Sequence, residues 1–127
     1  MPLHALVIDD DLFNLKILNR LLVVEGVDYT AIQDPTQIAS TLDSIQQIDF
    51  VFLDLEMPKI DGYNAFKLLQ SKLGVDVPII ACTVHTNEME TTRNLGFAGF
   101  ISKPLDIVRF PEQFNRIKNN LPVWDID

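Results

Sequence analysis

Runs of apolar residues alternate with amphipathic segments along the whole chain. The runs are typical of buried strands, and the segments between them repeat apolar residues every three to four positions, which is typical of helices. The predicted strands span residues 3–9, 27–33, 49–55, 77–83 and 97–102, and the predicted helices span about 12–25, 35–46, 63–73, 86–95 and 110–120. This regular alternation favours βαβ units and a parallel sheet.

Polar residues, prolines and glycines mark the ends of the predicted helices. Candidates for the N-terminal ends are Asp11, Asp34 with Pro35, Thr86 or Asn87, and Pro111, and candidates for the C-terminal ends are Gly26, Gly74 and Gly96. The run at 49–55 is too continuously apolar to be half-exposed, so we expect a central strand buried on both faces. Right-handed crossovers then predict a three-layer, doubly wound α/β fold around a five-stranded parallel sheet.

The length of 127 residues fits one domain, with a predicted core at 3–121 and a tail at 122–127. The tail is acidic and aromatic, and we expect it to be frayed or docked, with a partner contact as the less favoured interpretation. No apolar run approaches the roughly 20 residues of a membrane span, and the start does not resemble a signal peptide. We therefore expect a cytoplasmic protein without membrane contact. The initial Met and the acidic tail favour a whole protein over a fragment.

Charge and cysteine content narrow the possible partners and chemistry. The formal net charge of −8 at pH 7 argues against direct nucleic-acid binding, because counterion release needs clustered Lys and Arg, and it favours a folded protein partner. The single cysteine, Cys82, cannot form an internal disulfide and is expected to be a buried core thiol. The nearby His85 leaves a Cys–His nucleophile as a less favoured interpretation, since nothing else in the sequence orients such a pair.

Charged and polar residues collect where the predicted strands end. Asp9 and Asp10 follow the first strand, Asp54 ends the third, Thr83 ends the fourth, and Lys103 follows the fifth. The carboxyl ends of parallel strands meet at one edge of a sheet, where ligands bind. Carboxylates gathered there repel one another unless a divalent cation neutralises them, while an ammonium and a hydroxyl suit a phosphoryl group.

The set of strand-end residues, in this order, resembles the receiver domain of two-component response regulators, the family of the chemotaxis response regulator. The resemblance covers residues 3 to about 121. The matching elements are Asp9-Asp10, Asp54 within DLEMPKIDG, Thr83, and Lys103-Pro104. This likeness implies a flavodoxin-like fold with strand order 2-1-3-4-5, and a stand-alone receiver that acts as a phosphorylation-dependent signalling switch.

The resemblance implies that Asp54 accepts a phosphoryl group as an aspartyl phosphate. It also implies a Mg²⁺ ion bound by Asp9, Asp10, Asp54 and the backbone carbonyl of Glu56. Without the ion, the negative charge of the site should block an anionic donor. The implied chemistry is limited to self-catalysed phosphoryl transfer and autodephosphorylation, so we expect a regulatory domain and not an enzyme.

Lys103, Thr83 and Phe100 receive roles from the same resemblance. Lys103, joined to Pro104 by a cis peptide bond, would pair with the phosphoryl oxygens, and Thr83 would donate its hydroxyl to them. Phe100 occupies the position of the family's switch aromatic, which moves inward when the threonine shifts, although an ordinary core phenylalanine is an equally open interpretation.

The implied phosphoryl donor is a sensor histidine kinase or a histidine-containing phosphotransfer protein. Output would be a protein contact on the face formed by the fourth helix, fifth strand and fifth helix, or onward transfer as an intermediate of a phosphorelay. Pro111 shortens the last helix, which puts in doubt a partner surface borrowed from the family there. A monomer or weak homodimer is expected.

Glu56 and His85 depart from the common pattern of the family. Each lies two residues beyond a strand-end residue of the site, which predicts a position near its mouth. We hypothesise that the Glu56 carboxylate disfavours a second anion or competes for the metal, and so alters the rates of phosphoryl transfer and hydrolysis. His85 either orients or obstructs the attacking water, or is a solvated histidine.

Two other functional classes are compatible with parts of the pattern. Mg²⁺-dependent phosphatases also place a nucleophilic aspartate at a strand end, but they generally need a second aspartate two residues later, where this chain has Glu56. A flavodoxin-like binding module would need a phosphate loop rich in Gly, Ser or Thr, where this chain has three aspartates. Both classes are less favoured.

Overall fold

The alternating pattern folds as a parallel sheet between two layers of helices. The computed structural model describes residues 3–45 and 47–125. The strands are β1 (His4–Ile8), β2 (Asp28–Ile32), β3 (Phe50–Asp54), β4 (Ile79–Thr83), β5 (Gly99–Ser102) and β6 (Val123–Asp125). The helices are α1 (Leu12–Val24), α2 (Ile38–Ser44), α3 (Gly62–Leu73), α4 (Met89–Leu95) and α5 (Phe110–Lys118), and 3₁₀ turns at Pro35–Gln37 and Thr86–Glu88 precede α2 and α4.

The strand order β2-β1-β3-β4-β5-β6 confirms the predicted doubly wound fold and its order 2-1-3-4-5. All neighbouring strands pair in parallel. The chain runs outward from β1 in both directions, because β2 lies on one side of it and β3 on the other. In such sheets the crevice for ligands opens at the carboxyl ends of the strands where the direction changes, here β1 and β3.

The sheet has one strand more than the sequence pattern predicted. Within the segment expected to be a tail at 122–127, Val123–Asp125 forms β6 and pairs with β5, with Phe100 opposite Trp124. Residues 126 and 127 lie outside the described residues. The extra strand buries the Val123 side chain and satisfies an edge of β5 that would otherwise be open. Three residues are too few for a recognisable period-2 pattern, which is why the sequence did not reveal it.

The core consists of two apolar clusters, one on each face of the sheet. One cluster joins the sheet to α2 and α3, and the other joins it to α1 and α5. Every residue of β3 is buried, which confirms the predicted central strand. The second cluster contains a group of aromatic rings, in which Phe110 stacks on Phe114 at a centroid distance of 5.8 Å and Phe114 meets the edge of Phe50 at 5.4 Å. Burial of each such ring contributes roughly 1.5–3 kcal/mol.

Several predicted helix boundaries are confirmed, and one capping prediction is wrong. The Asp11 carboxylate accepts hydrogen bonds from the first-turn amides of α1, and Asp34 does the same for the turn before α2. Thr86 and Asn87 do not cap α4, because both lie within the 3₁₀ turn that precedes it. Helix α3 starts at Gly62, where a Cβ atom would lie 2.6 Å from the Cα of Leu55, so the close packing of this helix start on the end of β3 requires glycine.

None of the helices within 3–45 and 47–125 is both long enough and apolar enough to cross a membrane.

Candidate functional site

Four strand ends bring their polar residues together, as the sequence predicted. Asp9 directly follows β1, Asp54 and Thr83 are the last residues of β3 and β4, and Lys103 directly follows β5. Asp9, Asp54 and Thr83 retain only 6%, 5% and 0% of their exposure, although they are polar. Buried polar groups persist in a fold when they are paired or bind a ligand. We call Asp9, Asp54 and Lys103 the site floor.

Three carboxylates of this region lie close enough together to bind one metal ion. One ligand atom each of Asp9, Asp10 and Asp54 lies within 4.8 Å of the others. Carboxylate oxygens are hard donors, which suit Mg²⁺ or another hard divalent cation. The donor set present therefore fits the ion implied by the sequence resemblance.

Burial strongly perturbs the Asp54 carboxyl group. Loss of solvation raises the pKa of Asp54 to about 7; the charge of Lys103 and the Glu56 backbone amide oppose this effect, and the charge of Asp9 adds to it. A carboxylate whose ionised form is this unfavourable gains more from a bound cation than an exposed one does. The electrostatics of the floor thus favour cation binding and disfavour a further uncompensated anion.

The ammonium group of Lys103 supplies the positive charge of the floor. Its Nζ donates to Asp9 Oδ2 at 2.6 Å and lies 3.4 Å from Asp54 Oδ1. Burial by itself disfavours the ammonium, but the hydrogen bond to Asp9 and the charges of Asp54 and Asp9 outweigh it, so the pKa of Lys103 is raised. The Lys103–Pro104 peptide bond is cis, in agreement with the resemblance.

Backbone amides fix the orientation of the two floor carboxylates. The Glu56 N–H donates to Asp54 Oδ1 at 3.1 Å, and the Asp11 N–H donates to Asp9 Oδ1 at 2.9 Å. Asp11 also caps α1, so the first turn of this helix is fixed relative to the floor. Groups held in place before a ligand arrives lose little entropy when it binds.

Thr83 and Cys82 lie beside the floor at the end of β4. The Thr83 Oγ1 accepts a hydrogen bond from the His85 backbone amide at 3.2 Å. Desolvation raises the pKa of Cys82 to about 12, so its thiol stays protonated at neutral pH, as expected for a core cysteine. The Cys–His nucleophile interpretation is wrong, because the thiol is buried and the His85 ring pairs with Glu56 instead.

The side chains of Glu56 and His85 meet two residues beyond the strand ends of Asp54 and Thr83, and we call this pair the site mouth. His85 Nε2 lies 3.3 Å from Glu56 Oε1, and the two side chains remain 49% and 56% exposed, respectively. The sequence indicated that each would lie near the mouth but missed that they form a pair. The available signal was their equal spacing, two residues beyond Asp54 and Thr83, on neighbouring strands.

The inner side of the floor is closed. The cavity behind Asp9, Asp54 and Lys103 has a volume of about 10 Å³, at the lower limit for a single water molecule. Apolar side chains, among them Val7 and Phe52, line it. There is thus no room for a ligand on this side of the carboxylates. Phe100, the predicted switch aromatic, is fully buried in the cluster that joins the sheet to α2 and α3.

The sequence profile of the response regulator receiver domain matches residues 5–115. The chain therefore belongs to the response regulator receiver family, whose members serve in phosphorylation-dependent signalling, as the sequence predicted.

Several relatives carry a similar segment. The chain is 32% identical over 107 residues to the putative two-component response regulator ARR21 of Arabidopsis thaliana. The aligned region covers 83% of this chain and 17% of that protein. It is 33% identical over 107 residues to stress response regulator protein 1 of Scheffersomyces stipitis, spanning 80% of this chain and 37% of that protein. The osmosensing histidine protein kinase SLN1 of Saccharomyces cerevisiae is 29% identical over 109 residues, spanning 79% of this chain and 9% of the kinase. The chain thus spans well under half the length of these relatives.

Solved structures agree on the fold. The chemotaxis protein CheY4 of Vibrio cholerae superimposes with a TM-score of 0.81 at 18% identity, covering 92% of this chain and 99% of that one. A two-component response regulator of Clostridium difficile gives a TM-score of 0.81 at 20% identity, covering 92% and 96%. At these identities the likeness establishes the shared fold, and the roles of individual residues must be argued from the site.

Proposed function

We propose that this domain accepts a phosphoryl group on Asp54 and thereby switches a protein contact. The observation that carries the proposal is the position of the buried Asp54 carboxylate. It is fixed at the end of β3, next to the Lys103 ammonium and within a group of carboxylates that can hold a cation. A nucleophile needs this kind of fixed orientation, and a phosphoryl group needs the neighbouring positive charge.

The proposed transfer joins the phosphoryl group to Asp54 as the bond to the donor breaks. An oxygen of Asp54 attacks phosphorus, the P–N bond of a donor phosphohistidine breaks, and its electron pair leaves with the imidazole nitrogen. Since Oδ1 accepts the Glu56 amide and faces Lys103, we assign the attack to Oδ2. The product is an acyl phosphate, and its hydrolysis by water gives the Asp54 carboxylate and inorganic phosphate.

Asp9, Asp10 and Asp54 would hold Mg²⁺, with the backbone carbonyl of Glu56 as a further ligand. Bound there, the ion would neutralise the carboxylates and polarise the oxygens of the incoming phosphoryl group. The chain's own part is to supply hard oxygen ligands on rigid strand ends. The raised pKa of Asp54 supports this assignment, since the ionised carboxylate is disfavoured in the absence of a cation.

Lys103 and Thr83 would transmit the modification. Lys103 would exchange part of its contact with Asp9 for the phosphoryl oxygens, and the Thr83 hydroxyl would turn from the His85 amide to donate to the phosphoryl group. Phe100, on the strand that ends beside Lys103, would respond through its packing. Phosphorylation shifts the equilibrium only by these differential contacts.

The Glu56–His85 pair would set the rates of transfer and hydrolysis. It joins the loops that follow β3 and β4, with each residue two positions beyond a strand-end residue of the site. The negative charge of Glu56 would disfavour a second anion near the floor, while the His85 ring, in contact with Glu56, would crowd the position of an attacking water. We assign both residues modulating roles.

We propose that the phosphoryl group comes from a histidine of a sensor kinase or of a phosphotransfer protein. Output would be a protein contact on the face of α4, β5 and α5, with the receiver, residues 1–127, acting as one cytoplasmic unit, monomeric or weakly dimeric. The formal net charge of −8 at pH 7 supports a protein partner over a nucleic acid.

The test is intact-mass analysis after incubation with acetyl phosphate, with and without Mg²⁺. We expect a single phosphoryl adduct on the native chain that requires Mg²⁺ and is absent from Asp54→Asn. The matched control is Asp43→Asn, an exposed aspartate of α2, which should label like the native chain. Equal labelling of Asp54→Asn and the native chain would contradict the assignment, as would an adduct that forms equally well after chelation of the metal.

A further inference from the structure

The sixth strand covers the edge of β5 on the face predicted to contact partners. Val123 and Trp124 pair with Gly99 and Phe100, and Val123 is buried, with an exposure of 3%. A Cβ atom at Gly99 would lie 2.9 Å from the Val123 carbonyl oxygen, so the close approach of the two strands depends on glycine at this position. The pairing is thus built into the sequence of β5.

Helices α4 and α5 both hold this segment, which we call the β6 strap (residues 121–125). From α4, the Arg93 guanidinium lies over the Trp124 ring, 4.5 Å from its centroid. From α5, Arg116 Nε donates to the Pro122 carbonyl at 2.9 Å, and the Leu121 amide donates to the Arg116 carbonyl at 2.8 Å. The strap therefore lies across the face of α4, β5 and α5, between its two helices.

The pairing between the strap and β5 is the shortest in the sheet. Its ladder with β5 joins three residue pairs, whereas β1 and β2 share five and β4 and β5 share four. A short outer ladder opens at a lower free energy than the central strands do, so it can detach without unfolding the core.

Strand β5 connects the strap directly to the site floor. Phe100 pairs with Trp124 on one side and with Ala81 of β4 on the other. Ser102, the last residue of β5, pairs with Thr83, and Lys103 follows it into the contact with Asp9. The strap is docked while Lys103 contacts the floor carboxylates, which is the resting arrangement. A movement of Lys103 and Thr83 toward a phosphoryl group would move the end of β5, and the three-pair ladder with β6 is the one expected to open.

We propose that the β6 strap masks the β5 edge at rest and that phosphorylation of Asp54 releases it. The uncovered edge fits a partner segment in extended conformation, with an apolar residue in the place of Val123 and an aromatic one in the place of Trp124. The strap itself shows which chemistry this edge accepts, and strand addition is a common mode of peptide recognition. The inference rests on the proposed phosphorylation of Asp54.

Trp124 is the single tryptophan of the chain and reports on the strap directly. Its emission maximum and its quenching by acrylamide should be followed on addition of acetyl phosphate and Mg²⁺, with intact mass measured on the same samples. Release predicts a shift to longer wavelength and several-fold stronger quenching in the native chain, and no change in Asp54→Asn. A full Asp54 adduct with unchanged Trp124 fluorescence would contradict the release of the strap and leave the proposed function intact. Absence of the adduct would overturn the proposed function and, with it, the trigger of release.

A second experiment tests the masking without phosphorylation. Trp124→Ala should give several-fold faster hydrogen exchange at the β5 amides, and it should bind a labelled peptide of residues 120–127 that the resting native chain does not bind. Tyr29→Ala, on the opposite edge strand β2, is the matched control and should do neither. Unchanged exchange at β5, or no peptide binding by Trp124→Ala, would contradict masking of a strand-accepting edge.

Discussion

The site floor and the site mouth each pair a basic side chain with a carboxylate, but the two pairs differ in burial. Lys103 and Asp9 meet at 2.6 Å with side chains that are 10% and 8% exposed, whereas His85 and Glu56 meet at 3.3 Å with both side chains about half exposed. Water screens the mouth pair, so it contributes little to folding, while the floor pair has lost its water and depends on its partners. We therefore expect variants of the floor pair to change the stability of the fold, and variants of the mouth pair to change the rates of labelling and decay.

Replacement of Lys103 should give the largest effect and would test the floor half of this comparison. Lys103→Ala leaves two buried carboxylates without their cation, so we expect the free energy of unfolding to fall by about 3 kcal/mol in the absence of metal. Labelling by acetyl phosphate should fall roughly 100-fold, because a charge that faces the phosphoryl oxygens is removed. Urea denaturation and timed intact-mass measurements check the two effects.

Lys59→Ala is the matched control for Lys103→Ala. Lys59 pairs with Asp34 at 3.4 Å, but its side chain is 60% exposed. Its removal should change the free energy of unfolding by less than about 0.5 kcal/mol and should leave labelling unchanged. Equal losses of stability in the two lysine variants would show that burial does not separate the two kinds of pair.

Asp54→Asn should stabilise the metal-free protein in a pH-dependent way. The pKa of Asp54 is raised from 3.8 to about 7, so folding favours the protonated form, and the stability of the native chain falls as pH rises through this window. The variant lacks this loss. We expect it to exceed the native chain by about 1–3 kcal/mol above pH 7 and to match it below pH 4. Thermal unfolding in EDTA across this range measures the difference, and a constant difference at all pH values would contradict it.

The mouth variants should have small effects on stability and opposite effects on labelling. Glu56→Asn removes a negative charge from the entry path and should speed labelling by acetyl phosphate about two- to fivefold, whereas His85→Ala leaves Glu56 unpaired and should slow it. Both should change the decay rate of the phosphorylated form and keep the free energy of unfolding within about 0.5 kcal/mol. Timed mass spectra measure the rates of labelling and of decay.

Glu90→Gln, an exposed acid of α4, is the control for the mouth variants and should label like the native chain. An unchanged decay rate in Glu56→Asn would remove the modulating role of Glu56. Changes of the same sign in Glu56→Asn and His85→Ala would show that the mouth acts by bulk and not by charge.

The residues of the floor were predictable from sequence, but their pairing was not. Apolar runs located the strand ends, and parallel topology then required Asp9, Asp54 and Lys103 to converge. Spacing along a chain carries no information on which carboxylate a flexible lysine approaches most closely, and here Asp9 is nearer than Asp54. The Glu56–His85 pair was missed for the same reason, since it depends on two loops whose path only the folded chain defines.

The fold was predictable as far as its periodic patterns extend. Strands of four or five residues with apolar sequences were found, and so were helices with a regular apolar face. The β6 strand has no such pattern, because its position depends on the Gly99 gap, on Arg93 and on Arg116, which belong to three different elements. Helix α4 begins later than expected because its first residues adopt a tighter 3₁₀ turn.

The close approach of Gly62 to Leu55 has a consequence for how sequences of this kind can vary. The chain leaves β3 at Leu55 and returns to contact it at Gly62, so the intervening residues form a closed loop with fixed ends. Substitutions within the loop change the chemistry at the mouth, as at Glu56, without moving its ends. Insertions and deletions would displace the Glu56 amide that orients Asp54. We therefore expect this loop to vary in the identity of its residues but to keep its length.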